Sequence, residues 1–218
     1  TALCTMAVWG KDRFSFEDEM SKLEFWTKYA SFIKSTRNAE WQADFKVNER
    51  IPEGAPLGNG NLPLMPHQRV ATHCVLNSEG YALFMEMRTG KTPIFIAAMD
   101  KDSESNPNVM NLIICPKNVR TNWMAEIKNF STKNVHIIVL KGSAIRRKKA
   151  LLTAFEYPKD YDYTVVVVSY EGLSKTKMVS GFFWEWAGLD ESHFVKSSRT
   201  DRWAALKVLR PQCRRRVA

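Results

Sequence analysis

No apolar run in the sequence approaches the roughly 20 residues that a helix needs to cross a bilayer. The first residues also lack the basic-then-apolar order of a secretory signal. The expectation is a soluble protein with no membrane partner. Cysteine is scarce: Cys4, Cys74, Cys115 and Cys213 lie far apart with no paired spacing, which argues against a zinc site and a disulfide framework and for a reducing compartment. No internal repeat or low-complexity tract is visible. Acidic residues are in the minority, 23 Asp and Glu against 32 Lys and Arg, for a formal net charge of +9.

That excess favours a polyanionic partner, because neutralising phosphates releases condensed counterions. It is concentrated in two places, Lys141 with Arg146, Arg147, Lys148 and Lys149, and Arg210 with Arg214, Arg215 and Arg216. A solvated helix face accounts for the first cluster equally well.

Residues 1–50 read as helical, with Phe16, Met20, Leu23, Thr27, Ala30 and Ile33 at helical spacing and Ser15 and Asp18 placed as a capping box. Residues 51–66 carry Pro52, Gly54, Pro56, Gly58, Gly60, Pro63 and Pro66, a density of breakers that reads as a linker. From 67 to 218 short apolar runs alternate with helical segments, the pattern of an α/β fold with a parallel sheet covered by helices on both faces. Strands are expected at 81–85, 109–115, 135–140 and 164–169, with another ending at Leu189. Helices are expected at 66–77, 91–99, 119–130, 143–155 and 200–209. Val165 to Val168 are β-branched without alternation, which predicts a central strand buried on both faces.

Chemistry concentrates at strand ends. The apolar run from Tyr81 leads into Gly90, Lys91 and Thr92 and then into a helical segment. At such a junction backbone N–H groups surround a phosphate, glycine allows close approach, lysine reaches phosphate oxygens and threonine can ligate Mg2+. The glycine expected five residues before Gly90 is instead Met85. A second segment, Asp190, Glu191, Ser192 and His193, sets two carboxylates at a strand end. Asp190 suits Mg2+ and Glu191 suits an attacking water, although a solvated turn would show the same residues. His67 and Gln68 can present an amide to adenine. Lys117, Asn118, Arg120 and Thr121 stand where a strand passes into a helix, a natural place for nucleic-acid phosphates, with Trp123 beyond them suited to core packing. Ser169 and Tyr170 occupy the corresponding end of the valine strand, where a helix cap explains Ser169 as well as a phosphate contact does.

Together, in this order, the segments from about residue 62 to 218 resemble the first RecA-like lobe of superfamily two helicases and translocases, most closely the Swi/Snf ATPases. Pro66, His67 and Gln68 resemble the glutamine motif. Glu86, Met87, Arg88, Thr89, Gly90, Lys91 and Thr92 resemble motif I, or Walker A. Cys115 to Trp123 resemble motif Ia, and Asp190 to His193 with Lys196 and Ser197 resemble motif II, or Walker B. The resemblance implies ATP and Mg2+ as ligands, Met87, Arg88 and Thr89 as further nucleotide contacts, and catalytic roles for Lys91, Asp190 and Glu191. It also implies duplex DNA as the track and a second RecA-like lobe as partner. Arg88 stands where many members have a small residue, and Ser192 where alanine is commoner. These variants look more like compact bacterial and phage members, which implies the cytoplasm, or the nucleus for a eukaryotic source. The second lobe, which supplies an arginine finger in the family, would lie beyond Ala218. The expectation is a piece that binds nucleotide and hydrolyses it poorly alone.

Two other readings stand beside this one. A non-catalytic DNA-binding or scaffolding module would fit the departures at Met85 and Arg88. A small-molecule kinase using the same loop would leave the segments at Cys115 and Ser169 unexplained.

Overall fold

The computed structural model describes residues 56–60, 62–85, 89–156 and 160–218. The helix expected in 1–50 and the nucleotide contacts expected at Met87 and Arg88 lie outside them. Elements follow in the order β1 (Gly58–Asn59), β2 (Leu62–Pro63), α1 (Pro66–Leu76), β3 (Gly80–Tyr81), α2 (Lys91–Ser103), β4 (Val109–Cys115), α3 (Arg120–Phe130), β5 (Val135–Val139), α4 (Ala144–Glu156), β6 (Tyr163–Ser169), α5 (Tyr170–Ser174), β7 (Trp184–Leu189), α6 (Asp201–Leu209) and β8 (Cys213–Val217).

Six strands form one sheet in the order β3-β8-β7-β4-β6-β5, with every neighbouring pair parallel. All strands therefore end on the same rim, where ligands of open parallel sheets gather. Strand alternation divides the core into two layers. Val165 and Val167 of β6 join Ile113 of β4 and α1, α2 and α3 through Val75, Ile94 and Ile127. Val166 and Val168 join Leu112 and α4, α5 and α6 through Leu151, Leu173 and Leu206. The valine run is thus covered on both faces as its composition predicts, although β6 is interior and second from the β5 edge, with β7 and β4 at the centre.

Three sequence expectations need correction. The strand expected at 81–85 has regular pairing only at Gly80–Tyr81. Leu83 N still donates to Ala218 O at 2.7 Å, so the chain stays beside β8 past the regular ladder. The described part of the 51–66 linker is structured: β1 and β2 pair antiparallel. The Asn59 amide donates to Asn129 O at 3.2 Å, and Arg69 Nε donates to Pro56 O at 3.3 Å. Glycine and proline here shape a docked turn instead of a free connector.

The third correction concerns the C-terminal cluster: Arg214, Arg215 and Arg216 belong to β8, and two of them are paired from within. Arg214 pairs with Glu185 at 3.0 Å. Arg215 reaches Asp102 at 3.5 Å and stacks over Trp186, whose indole N–H donates to Asp102 at 3.0 Å. Burial first and the Asp102 charge second hold the Glu185 carboxyl above its ordinary 4.5, against the two arginines. A carboxyl raised on folding binds more protons in the folded state, so its contribution is full at low pH and declines as pH rises through the raised value. The stability difference, wild type minus Glu185→Gln, is expected to fall as pH climbs past 4.5 and then level. Urea titrations at several pH values measure it, and a difference that grows with pH would contradict this sign.

Candidate functional site

The site begins where the chain enters α2. Gly90 holds a left-handed conformation, φ 86°, as the residue before the helix. Only glycine adopts this freely, and a Cβ there would also overlap the Gln68 amide nitrogen. The first turn of α2 has no acidic residue and no side-chain cap, so the positive end of the helix faces the cleft uncompensated. Lys91 Nζ donates to Met85 O at 3.0 Å across the loop.

Gln68 braces this loop from α1. Its Oε1 accepts from Met65 N at 2.9 Å and its Nε2 donates to Thr89 O at 3.1 Å. His67 Nε2 lies 3.3 Å from the same carbonyl. Gln68 is thus buried and committed to backbone on both ends, with one N–H and one lone pair left over for a base.

The acidic segment ends β7. Asp190 N donates to Ile114 O at 2.9 Å, extending the pairing with β4. Glu191 then takes a left-handed turn, φ 53°, which lifts its half-exposed carboxylate toward His193 Nδ1 at 3.1 Å. Gly188 on the same strand is required by proximity, because a Cβ there would overlap the Phe95 ring. That bare contact seats α2 directly on β7 and brings the two motifs together. Lys91, Thr92, Phe95, Trp123, Asp190, Glu191 and Lys196 line one cleft of about 340 Å³.

Asp190 is half-buried between donors. Trp123 Nε1 donates to its Oδ2 at 2.9 Å, and Tyr170 Oη donates to its carbonyl at 2.7 Å. Burial raises its carboxyl above the ordinary 3.8. The Trp123 hydrogen bond opposes this, the Glu191 charge adds to it, and the Lys91 ammonium lowers it again.

The residues assigned to nucleic acid divide. Lys117, Asn118 and Thr121 are exposed at the start of α3. Arg120 is folded back, donating to Lys117 O at 3.0 Å and Leu140 O at 2.7 Å, so it braces the rim. Ser169 and Tyr170 are buried. The Ser169 hydroxyl caps α5 by accepting from Gly172 N at 3.0 Å, and the Tyr170 hydroxyl is taken by Asp190. Neither hydroxyl faces solvent for a phosphate, because the backbone nearby needs both. Trp123, read from its sequence as core packing, also lines the candidate cleft. Its ring is buried, yet its N–H reaches an acidic residue 67 positions away, a partner no local window reveals.

A family model described as "SNF2-related domain" matches residues 33–217, starting ahead of the 51–66 segment. The chromatin-remodeling ATPase INO80 of Lodderomyces elongisporus is 31% identical over 141 residues, covering 61% of this chain and 9% of that protein. The INO80 of Debaryomyces hansenii is 30% identical over 139 residues, covering 61% and 10%. The chain therefore spans about a tenth of the length of these relatives. Among solved structures, the Sulfolobus solfataricus SWI2/SNF2 ATPase core in complex with dsDNA superposes with a TM-score of 0.62 at 24% identity, over 78% of this chain and 33% of that one. The Type ISP restriction-modification enzyme LlaGI, in complex with a DNA substrate mimic, gives 0.59 at 16%, over 72% and 17%. The shared fold is the RecA-like parallel sheet.

Proposed function

Because the chain belongs to the family of SNF2-related domains, we propose that it is the ATP-binding lobe of a DNA-dependent ATPase that couples Mg-ATP hydrolysis to movement on, or remodelling of, duplex DNA. The carrying observation is the single cleft lined by Lys91, Thr92, Asp190 and Glu191. Lys91 binds phosphate oxygens at the positive end of α2. Gly90 keeps the loop free of a side chain, and Gln68 with His67 fixes its backbone.

Among the described residues no group of three His, Cys, Asp or Glu side chains gathers as a metal site. One carboxylate and one hydroxyl suit Mg2+, which is usually shared between few protein oxygens and a ligand's phosphates. Thr92 and Asp190 would hold it, and it would supply charge neutralisation at the phosphates. Glu191, outside the donor cage around Asp190 and half-exposed to the cleft, orients the attacking water.

The exposed Lys117, Asn118 and Thr121 make a rim surface for DNA phosphates, and a second RecA-like lobe closes the cleft. Binding of a fluorescent ATP analogue is expected to require Mg2+. Duplex DNA binding is expected to weaken steeply between low and physiological salt, as counterion release demands. Salt-sensitive DNA binding without any nucleotide binding would favour the non-catalytic module instead.

A further inference from the structure

Asp190 is gripped by residues from two other rim segments. Trp123 on α3 donates to its side-chain Oδ2 at 2.9 Å, and Tyr170 at the start of α5 donates to its carbonyl at 2.7 Å. Both rings are almost wholly buried, at 6% and 0% exposure. Packing alone does not require the Tyr170 hydroxyl, since phenylalanine fills the same space, and the Trp123 ring packs with or without a partner for its N–H. Trp123 sits two residues after the exposed Thr121 on the same helix, so whatever docks on Lys117, Asn118 and Thr121 bears on it through rigid backbone. The Tyr170 ring also stacks on Phe194, with centroids 5.8 Å apart and planes 3° from parallel, which ties it to the turn following Glu191.

We propose that Trp123 and Tyr170 are positioning residues that couple occupancy of the α3 rim to the aim of Asp190, so that duplex DNA and Mg-nucleotide change each other's affinity through these two hydrogen bonds. The proposal rests on the ATPase reading above and names how its two ligands communicate. With one carboxylate oxygen fixed by the indole, the direction of the other is set, as hydrogen bonds behind metal ligands commonly do. Mg2+ demands near-octahedral geometry, so a small rotation of Asp190 alters its fit. A shift of α3 on binding DNA moves the indole and with it that oxygen.

Coupling is reciprocal, so one factor describes both directions, and such factors commonly run about 5- to 150-fold. The test measures the affinity of this chain for a fluorescent ATP analogue with Mg2+, with and without saturating duplex DNA. It also measures the affinity for labelled duplex DNA with and without nucleotide. Wild type is expected to give the same factor, about fivefold or more, from both cycles. Trp123→Phe and Tyr170→Phe are each expected to bring it toward one. Any change in affinity for a single ligand cancels in the ratio, so a merely structural role would leave the factor where it was. Melting curves establish that each variant is folded, and Tyr170→Phe, which removes a single oxygen, carries the test should Trp123→Phe fail to fold. A wild-type factor of one, or an unchanged factor in the folded variants, overturns the relay while leaving the ATPase reading in place. A wild-type chain that binds neither nucleotide nor duplex DNA overturns both.

Discussion

Asp100→Ala is expected to destabilise the protein by about 3–5 kcal/mol, the order of losing two hydrogen bonds to a carboxylate at about 1.5–3 kcal/mol each. Asp100 lies on α2, buried, and both oxygens are occupied. Oδ1 accepts from Ser131 Oγ at 2.7 Å and Tyr163 Oη at 2.6 Å. Oδ2 accepts from Thr132 N at 2.6 Å and Thr132 Oγ1 at 3.0 Å. A carboxylate has about four acceptor sites, so this one is saturated. It ties α2 to the residues after α3 and to the first residue of β6. Removing it takes the carboxylate from the fully buried Tyr163 hydroxyl, at about 1–3 kcal/mol, and frees the more exposed Thr132 from α2. At about 2–4 °C per kcal/mol for a domain of this size, melting should drop by roughly 6–20 °C. Urea denaturation gives the free energy directly, and a loss under about 1 kcal/mol, typical of one ordinary hydrogen bond, would show that the network has no such weight. Asp100→Asn, which keeps one acceptor oxygen and points an N–H₂ at existing donors, should fall between.

Such networks mark the limit of what the sequence discloses. The valine strand, the strand at 109–115 and the five expected helices were legible because apolar period and breakers are local, and burial follows from them. The motif residues were legible because Gly90-Lys91-Thr92 and Asp190-Glu191 carry their chemistry in neighbouring positions. The strand β8 was not: between Cys213 and Val217 its sequence is three arginines, and the carboxylates that pair with two of them, Glu185 with Arg214 and Asp102 with Arg215, lie 29 and 113 positions away. Trp123, Gln68 and Tyr170 were hidden for the same reason. Residue type suggests core for Trp123, which is buried, a base contact for Gln68 and a phosphate contact for Tyr170; the bonds from Trp123 and Tyr170 to Asp190 and from Gln68 to Thr89 O join residues far apart in sequence.

Lys91→Ala should weaken binding of a fluorescent Mg-ATP analogue by about ten- to a hundredfold or more, the equivalent of losing a charged hydrogen bond of roughly 1.5–3 kcal/mol. Two effects act in the same direction. The phosphate loses its ammonium, and the loop loses the bond from Lys91 Nζ to Met85 O, so its path from β3 to α2 is less fixed before ligand arrives. Asp190 also loses the Lys91 charge that lowers its carboxyl. Folding stability should move the other way or scarcely at all. Lys91 is the first residue of α2, where a cation meets the positive helix end unfavourably and alanine is the better helix former. The variant therefore separates binding from stability: affinity falls while the melting temperature holds or rises slightly. Undiminished affinity in a folded Lys91→Ala protein would remove the phosphate-binding role from this loop. A fall in affinity accompanied by an equal fall in stability would assign Lys91 to structure instead.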